Sequence, residues 1–288
     1  MNYDNTMLKD YKRCERLFHL KYEMGYIGED ESVHLHAGKC FANAVETARV
    51  SFYDGDLSLT DSILAGGECL ISSWGDPTLF ASETKNLSRM MAAYEKYMDD
   101  FPIDHHPVHR GADGKLMVEC HFEMPWVQHH NEVDRYCGTP DTVLEYGGGL
   151  WLVDEKTTGG SFTPTWISQW KRWGQYTGYV WGLGMKGIKL DGVLCRGIAI
   201  QKTQIKTIEV ASPRAEWMVN EWVLSTTKTI ERIMDSRETG IWDGANDDNC
   251  VKYGRECEFI GQCTSPNPDY SKFKRGTWEP LTRQWKPR

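Results

Sequence analysis

Residues 138–158 read GTPDTVLEYGGGLWLVDEKTT and place Asp141 thirteen residues before Asp154, with Lys156 two residues further on. Alternation along an extended strand puts Asp154 and Lys156 on one side of a sheet. The GGG at 147–149 supplies a turn that folds the strand carrying Asp141 back beside theirs. Carboxylates brought together in this way repel unless a divalent cation neutralises them, and hard oxygen ligands suit Mg²⁺ or Mn²⁺. A lysine beside such an ion can position an attacking water or offset charge on a phosphorane-like transition state. The combination favours phosphodiester hydrolysis. An isolated Asp-x-Lys is more often a solvated strand face, so the weight rests on its company: an apolar LWLV run before it and Pro140-Asp141 upstream.

Three other groups of residues have chemistry-bearing types. Ser168, Arg172, Gln175 and Tyr179 fall at i, i+4, i+7 and i+11 and predict a polar stripe, with Trp166, Trp170 and Trp173 as core. Glu46 follows Gly38 by eight residues, beside an apolar helical stripe, and stands as a metal ligand, a buried charge partner or a surface acid. Glu119, which alternates with apolar neighbours, is a weaker candidate for the outer shell of the same site. Cys250, Cys257 and Cys263 lie in CVKYGRECEFIGQC, with a fourth thiol far away at Cys14. Four sulfurs suit Zn²⁺ or a [4Fe-4S] cluster, and the spacing alone does not choose. Cys40, Cys69, Cys120, Cys137 and Cys195 sit in apolar or alternating stretches and read as core thiols. His105, His106, His109 and the pair His129-His130 read as surface residues.

Pro140-Asp141 with Asp154-Glu155-Lys156 resembles the PD-(D/E)xK nuclease superfamily. The resemblance implies that the two acids bind metal, that the carbonyl of Glu155 is a further ligand and that Lys156 is catalytic. Gln175-x-x-x-Tyr179 is similar to the motif of RecB-like nucleases, including their CRISPR-associated members, and implies contact with the DNA backbone and support of the site. In those nucleases the early helix carries Gly-x-x-x-His-x-x-x-Glu; here Ala42 stands where the histidine would be, leaving Glu46. Cys14 with the C-terminal triplet, and the opening LKDYKRCERLFHLKY, resemble the iron-sulfur staple of AddB and of CRISPR-associated RecB-like nucleases. The family commonly has Cys-x2-Cys-x5-Cys, whereas the first gap here is six residues. The resemblance implies an Mg²⁺- or Mn²⁺-dependent deoxyribonuclease, an exonuclease on single strands or duplex ends, with a recombination or helicase partner. The alternative is a DNA-binding recombination accessory protein of the same fold that cleaves slowly or not at all. By analogy it also suggests a phage or prokaryotic setting.

The elements that must position these residues follow from periodicity. Helices are predicted from Met7 to Tyr22, Gly38 to Phe52, Ser82 to Met98, Thr163-Pro164 to about Leu183 and Pro213 to about Asp235. Strands are predicted at 115–126, 136–146, 150–153, 192–200 and 205–211. The expected fold class is α/β, a mixed central sheet flanked by helices in a restriction-endonuclease-like core with an N- and C-terminal Fe-S staple. The 288 residues show no linker and predict a single nuclease domain, 1–288, in which 1–37 and 236–270 are the cluster-binding ends and 271–288 a basic tail. No run of about 18 uncharged apolar residues occurs, which argues against a transmembrane helix. Acids in the first residues argue against a secretory signal, so a cytoplasmic protein is expected, and nine cysteines there are unlike a disulfide framework. The net charge of −8 argues against sequence-wide attraction to nucleic acid. The last eighteen residues nevertheless carry a local +5, so the rest of the chain carries −13. Any binding of DNA should therefore be local, metal-assisted and salt-sensitive.

Overall fold

A computed structural model describes the chain except residues 29–31, 130–131, 245–246, 253–254, 283 and 288. His130 of the predicted surface pair, Arg283 and Arg288 of the basic tail, and 29–31, 245–246 and 253–254 of the predicted cluster-binding ends therefore lie outside the described residues. The main helices are α1 (Asn5–Arg13), α2 (Val33–Tyr53), α3 (Leu59–Trp74), α4 (Leu87–Asp100), α5 (Gly174–Met185) and α6 (Glu216–Thr239). The main strands are β1 (Phe122–His129), β2 (Glu132–Gly138), β3 (Thr142–Tyr146), β4 (Gly149–Thr158), β5 (Gly192–Ile200) and β6 (Ile205–Pro213). The chain is mixed α/β. Its contacts divide it into two compact units, one of residues 1–30, 122–138 and 217–288, the other of residues 31–121 and 139–216.

The second unit is built on a four-stranded sheet in the order β3-β4-β5-β6. β3 and β4 form the predicted hairpin, with Tyr146 paired to Gly149 and with Gly147 and Gly148 both at positive φ. A two-residue loop of this kind demands left-handed backbone, which glycine adopts without a steric penalty. β4 and β5 are parallel, so the chain between them must cross over, and it does so through α5. Every residue of β5, GVLCRGIAI, is buried, the pattern of a strand covered on both faces. On one side α2, α3 and α4 bury Phe41, Val45, Leu70, Trp74, Tyr94 and Met98 together with Ile198 and Ile200. Each large apolar side chain so buried contributes about 1.5–3 kcal/mol before ordering costs. The other side of the sheet is met by α5, whose Tyr176 reaches Asp154.

Several predicted boundaries need correction. The alternation of 115–126 and 136–146 does not make one meander with β4. β1 and β2 pair with each other, and β2 also pairs in parallel with Asn2–Tyr3, in a sheet of the first unit. The break falls at Thr139-Pro140-Asp141, because proline cannot donate to a ladder; Asp141 thus immediately precedes β3 rather than lying in a strand. The stretch before β1 is held by isolated bridges, Arg110 with Leu116 and Val118 with Thr142. α4 starts at Leu87 because the Asn86 side chain accepts from Arg89 N–H, 3.0 Å, and caps it. The helix α3 has no counterpart in the prediction; Ser58 caps it through Asp61 N–H. The helix expected from 163 to 183 is broken at Trp173, whose ψ of 117° is extended, so Ser168 and Arg172 do not continue the α5 face that carries Gln175 and Tyr179.

In the first unit the helix expected from Met7 to Tyr22 is interrupted at Cys14, extended at φ −168°, ψ 121°. Cys14 closes α1 and opens the next turn, its sulfur accepting from Leu17 N–H at 3.4 Å. Leu17, Leu20 and Phe259 form a small core against which Cys14 and Cys257 pack. The tail predicted to be irregular contains a hairpin, Lys274–Glu279 with Gln284–Pro287, joined to Tyr26–Ile27. No helix among the described residues is long and apolar enough to cross a membrane.

Candidate active site

β4 turns Asp154 and Lys156 to one face of the sheet and Glu155 to the other. Lys156 Nζ lies 2.5 Å from Asp154 Oδ2, and the Tyr176 hydroxyl donates to the same oxygen at 3.0 Å. Asp154 is 1% exposed, and its second oxygen, Oδ1, is buried with no hydrogen-bond partner. A buried carboxylate oxygen left this way costs several times a typical net hydrogen bond unless a cation or donor meets it.

Asp141, 8% exposed, joins from the residue just before β3: its Oδ2 accepts the Glu155 N–H at 3.1 Å. Burial, then Asp154, then Glu155 push the Asp141 carboxyl well above the usual carboxylate range, and Lys156 only partly offsets them. Two acids and a lysine thus converge on one face. Burial works against the Lys156 charge, yet Asp154 and Asp141 hold its pKa above the ordinary lysine value, and Tyr179 adds to that. Lys156 is therefore a cation at neutral pH, fit to offset developing negative charge rather than to take up a proton.

Glu155 shows why this geometry is rigid. Its carboxylate accepts from Arg49 Nη2 at 2.6 Å and from the Tyr97 hydroxyl at 2.7 Å, while Arg49 Nη1 donates to Thr142 Oγ1 at 2.7 Å. Thr142 in turn donates to the Asp141 carbonyl at 2.7 Å. Arg49 hence holds the residue after Asp141 and the residue between Asp154 and Lys156 at once. Burial opposes the Glu155 charge, and Arg49 and Tyr97 overcome it and keep its pKa below the ordinary value.

The remaining predicted residues fall in different places. Gln175 Nε2 donates to the Tyr179 hydroxyl at 2.8 Å, and Gln175 Oε1 accepts from Trp173 Nε1 at 3.3 Å. Tyr179 is 2% exposed and acts on Lys156, so this pair stands beside the acid-lysine face. Glu46 is half-buried on α2, and burial raises its carboxyl pKa. No described interaction ties it to the acid pair. Glu119 is tied: its N–H donates to the Asp141 carbonyl at 2.8 Å, its charge raises the Asp141 pKa, and its backbone is left-handed at φ 45°. A glutamate in that conformation is held there at a cost of about 1–3 kcal/mol. His109 pairs with Glu145 at 3.2 Å, a more definite place than the bare surface expected.

Sequence reasoning missed Tyr176 and Arg49. Arg49 left a signal: it falls four residues after Val45 and eight after Phe41, a charge on a buried helical stripe. Tyr176 left little, because its orientation depends on where α5 begins.

The donor chemistry at Asp141 and Asp154 fits a hard divalent cation, and the unpartnered Asp154 Oδ1 is the observation that speaks for it. Among the described residues no three His, Cys, Asp or Glu side chains sit together as a ligand set. Backbone and water oxygens would have to complete the shell.

The four cysteines predicted as ligands lie in the first unit and act on one another. Burial raises the Cys257 and Cys263 pKa values; Cys14 adds to both and Cys250 to Cys263, while Arg13 lowers Cys257 and Arg16 lowers Cys263. Cys257 N–H also donates to the Cys250 carbonyl at 2.7 Å. Among the described residues these thiols do not form a group of three or more placed to hold a metal ion. Cys40, Cys137 and Cys195 are buried, and Cys69 and Cys120 half-buried.

No family model matches the chain, and no curated protein matches it in sequence. Among solved structures, the chain is similar to a putative exonuclease from Eubacterium rectale, at 14% identity over 88% of each chain and a TM-score of 0.48. It is also similar to SSO0001, at 13% identity over 79% of this chain and 84% of that one, with a TM-score of 0.29.

Proposed function

We propose that the chain is a metal-dependent nuclease that hydrolyses phosphodiester bonds in DNA, acting as an exonuclease of the RecB type in end processing or recombination. The observation that carries this reading is the convergence of Asp141, Asp154 and Lys156 on one face of β4, with Asp154 Oδ1 buried and unpartnered. Asp141, Asp154 and the Glu155 carbonyl would hold Mg²⁺ or Mn²⁺, with Glu46 as a further candidate ligand. A bound ion of this kind supplies Lewis-acid polarisation of the phosphate and a more acidic water. Lys156 carries its charge at the same face and offsets the negative charge that builds on the phosphate. Tyr176 fixes the rotamer of Asp154, and the Gln175-Tyr179 pair supports Lys156 and contacts the DNA backbone. Cys14, Cys250, Cys257 and Cys263 would hold a [4Fe-4S] cluster, or Zn²⁺, that ties the residues near the N-terminus to the 250–263 segment.

The test is degradation of end-labelled linear DNA, single- and double-stranded, with Mg²⁺, Mn²⁺ or EDTA. Wild type should degrade it only with metal, and Lys156→Ala and Asp154→Asn should each lose about 10²-fold or more, the scale of removing one electrostatic stabiliser. Equal residual activity in wild type and Lys156→Ala would sink the reading. A second reading, a DNA-binding accessory protein with little turnover, is favoured by the alanine at 42 and by the acid pair standing without a third side-chain ligand among the described residues. It requires DNA binding with no metal-dependent cleavage.

A further inference from the structure

Away from the acid-lysine face, the first unit has a groove of about 450 Å³ where α1 meets α6. Its walls carry Lys12, Lys228 and Arg232, with Glu221 as the one acid, plus Ser225, Thr229 and Leu224. α1 and α6 are fixed there by Tyr11, whose hydroxyl lies 3.4 Å from Ser236 Oγ. Three cations around one hollow repel one another, and in a chain of net charge −8 such a concentration is not a matter of composition. Lys12, Lys228 and Arg232 have no ion-pair partner among the described residues. An anion entering the hollow would offset that repulsion.

The identity of the anion follows from what accompanies the cations. Leu224 is 66% exposed, and Trp217, two turns earlier on α6, is 59% exposed. Trp217, Glu221, Leu224, Lys228 and Arg232 recur at i, i+4, i+7, i+11 and i+15, along one side of the helix. That side is ~22 Å long at 1.5 Å per residue. Free phosphate or an acidic peptide would use the cations but make no use of the exposed Trp217 and Leu224 side chains. A single nucleic-acid strand uses both, its phosphates against the cations and its unstacked bases against the apolar side chains. A duplex hides its bases and would not.

We propose that this groove binds a single-stranded nucleic-acid segment, with Lys12, Lys228 and Arg232 on successive phosphates and Trp217 and Leu224 against bases. The proposal deepens the DNA-nuclease reading and rests on it for the choice of a nucleic acid, but it uses none of the proposed metal-binding or catalytic residues.

Binding is measured by the anisotropy of a short labelled oligothymidylate in EDTA, across a salt series, and cleavage is measured separately with Mg²⁺. The charge-reversal variant Lys12→Glu/Lys228→Glu/Arg232→Glu should bind at least about tenfold more weakly. Its slope of log affinity against log salt should fall by about 2, from ~0.7 per lost phosphate contact on a single strand. Trp217→Ala should weaken binding several-fold with the slope unchanged, and a Lys12→Arg/Lys228→Arg variant should keep wild-type binding, which guards against misfolding as the cause. Unchanged affinity and slope in the charge-reversal variant overturn the groove, whatever the cleavage assay shows. Failure of the wild type to bind the oligonucleotide also overturns it, as does equal displacement by polyglutamate with Trp217→Ala neutral, which would reduce the groove to a plain anion site. Groove-dependent binding without any Mg²⁺-dependent cleavage supports the groove and removes the nuclease reading instead.

Discussion

Arg49 Nη2 lies 2.6 Å from Glu155 Oε1, both side chains are 3% exposed, and the pair sits on the opposite face of β4 from Asp154 and Lys156. A buried pair of this kind contributes little net stability over an apolar replacement, yet removing one partner leaves the other charged and stranded. Arg49→Met should therefore destabilise the protein by about 3–5 kcal/mol, and Glu155→Gln by less, since its amide still accepts from Tyr97. The double variant Arg49→Met/Glu155→Leu should recover part of the loss. Urea unfolding of the three variants measures this; additive losses in the double variant would refute a direct pair.

The acid pair predicts the effect of metal on stability. The folded protein raises the Asp141 pKa, so it binds that proton more tightly than the unfolded chain does. This contribution is fully present below the unfolded carboxylate pKa and is lost as pH rises through the folded value, above which a charged, buried Asp141 is a burden. Asp141→Asn should thus raise the melting temperature of protein kept in EDTA. Mg²⁺ at about 100 times its dissociation constant should stabilise wild type by ~2.7 kcal/mol and the variant by much less. Equal Mg²⁺ shifts in the two proteins would show that the ion binds elsewhere.

What the sequence made legible, and what it did not, separates by range. The β3-β4 hairpin, with Asp154 and Lys156 on one face, was readable because glycines mark the turn and strand alternation is strictly local. The apolar run of β5 was readable because a continuous apolar stretch is a local signal too. The separation of β1 and β2 from β3 was not, since alternation on either side of Pro140 looks continuous until strand partners are known. The break of the Trp-rich helix at Trp173 was equally hidden. It rests on contacts far away in sequence: Arg214 reaches the Trp170 carbonyl at 2.8 Å and the Trp173 carbonyl at 3.5 Å. Of the candidate site residues, those placed by local pattern, Asp154 and Lys156, converge as expected, whereas Glu46, placed by helical spacing alone, has no described tie to them.

The cysteine set predicts a colour and a metal content. Anaerobically purified protein should be brown and contain iron and sulfide, and Cys14→Ser, Cys257→Ser and Cys263→Ser should each lose most of both. Cys40→Ser and Cys195→Ser, which alter core thiols, should keep the iron in whatever fraction folds. Elemental analysis decides between ligands: zinc in place of iron would assign the same four sulfurs to a zinc site, and neither metal would leave them as thiols.

Lys85 predicts how stability varies with pH. It is 2% exposed, its ammonium donates to Thr157 Oγ1 at 2.9 Å, and burial lowers its pKa to about 8. A lysine whose folded pKa is depressed binds its proton more weakly in the folded state. The penalty is fully present below the folded value and fades as pH rises from about 8 toward the ~10.4 of the unfolded chain. A shift of that size corresponds to roughly 3 kcal/mol at neutral pH. Lys85→Met keeps most of the volume without the charge, so it should stabilise the protein by about that amount at pH 7, with the advantage shrinking steadily between pH 8 and 10. Taking the difference between variant and wild type at each pH cancels the titration of every other group. A pH-independent difference, or a variant less stable than wild type at pH 7, would mean that the ammonium is well solvated or paired in the folded protein.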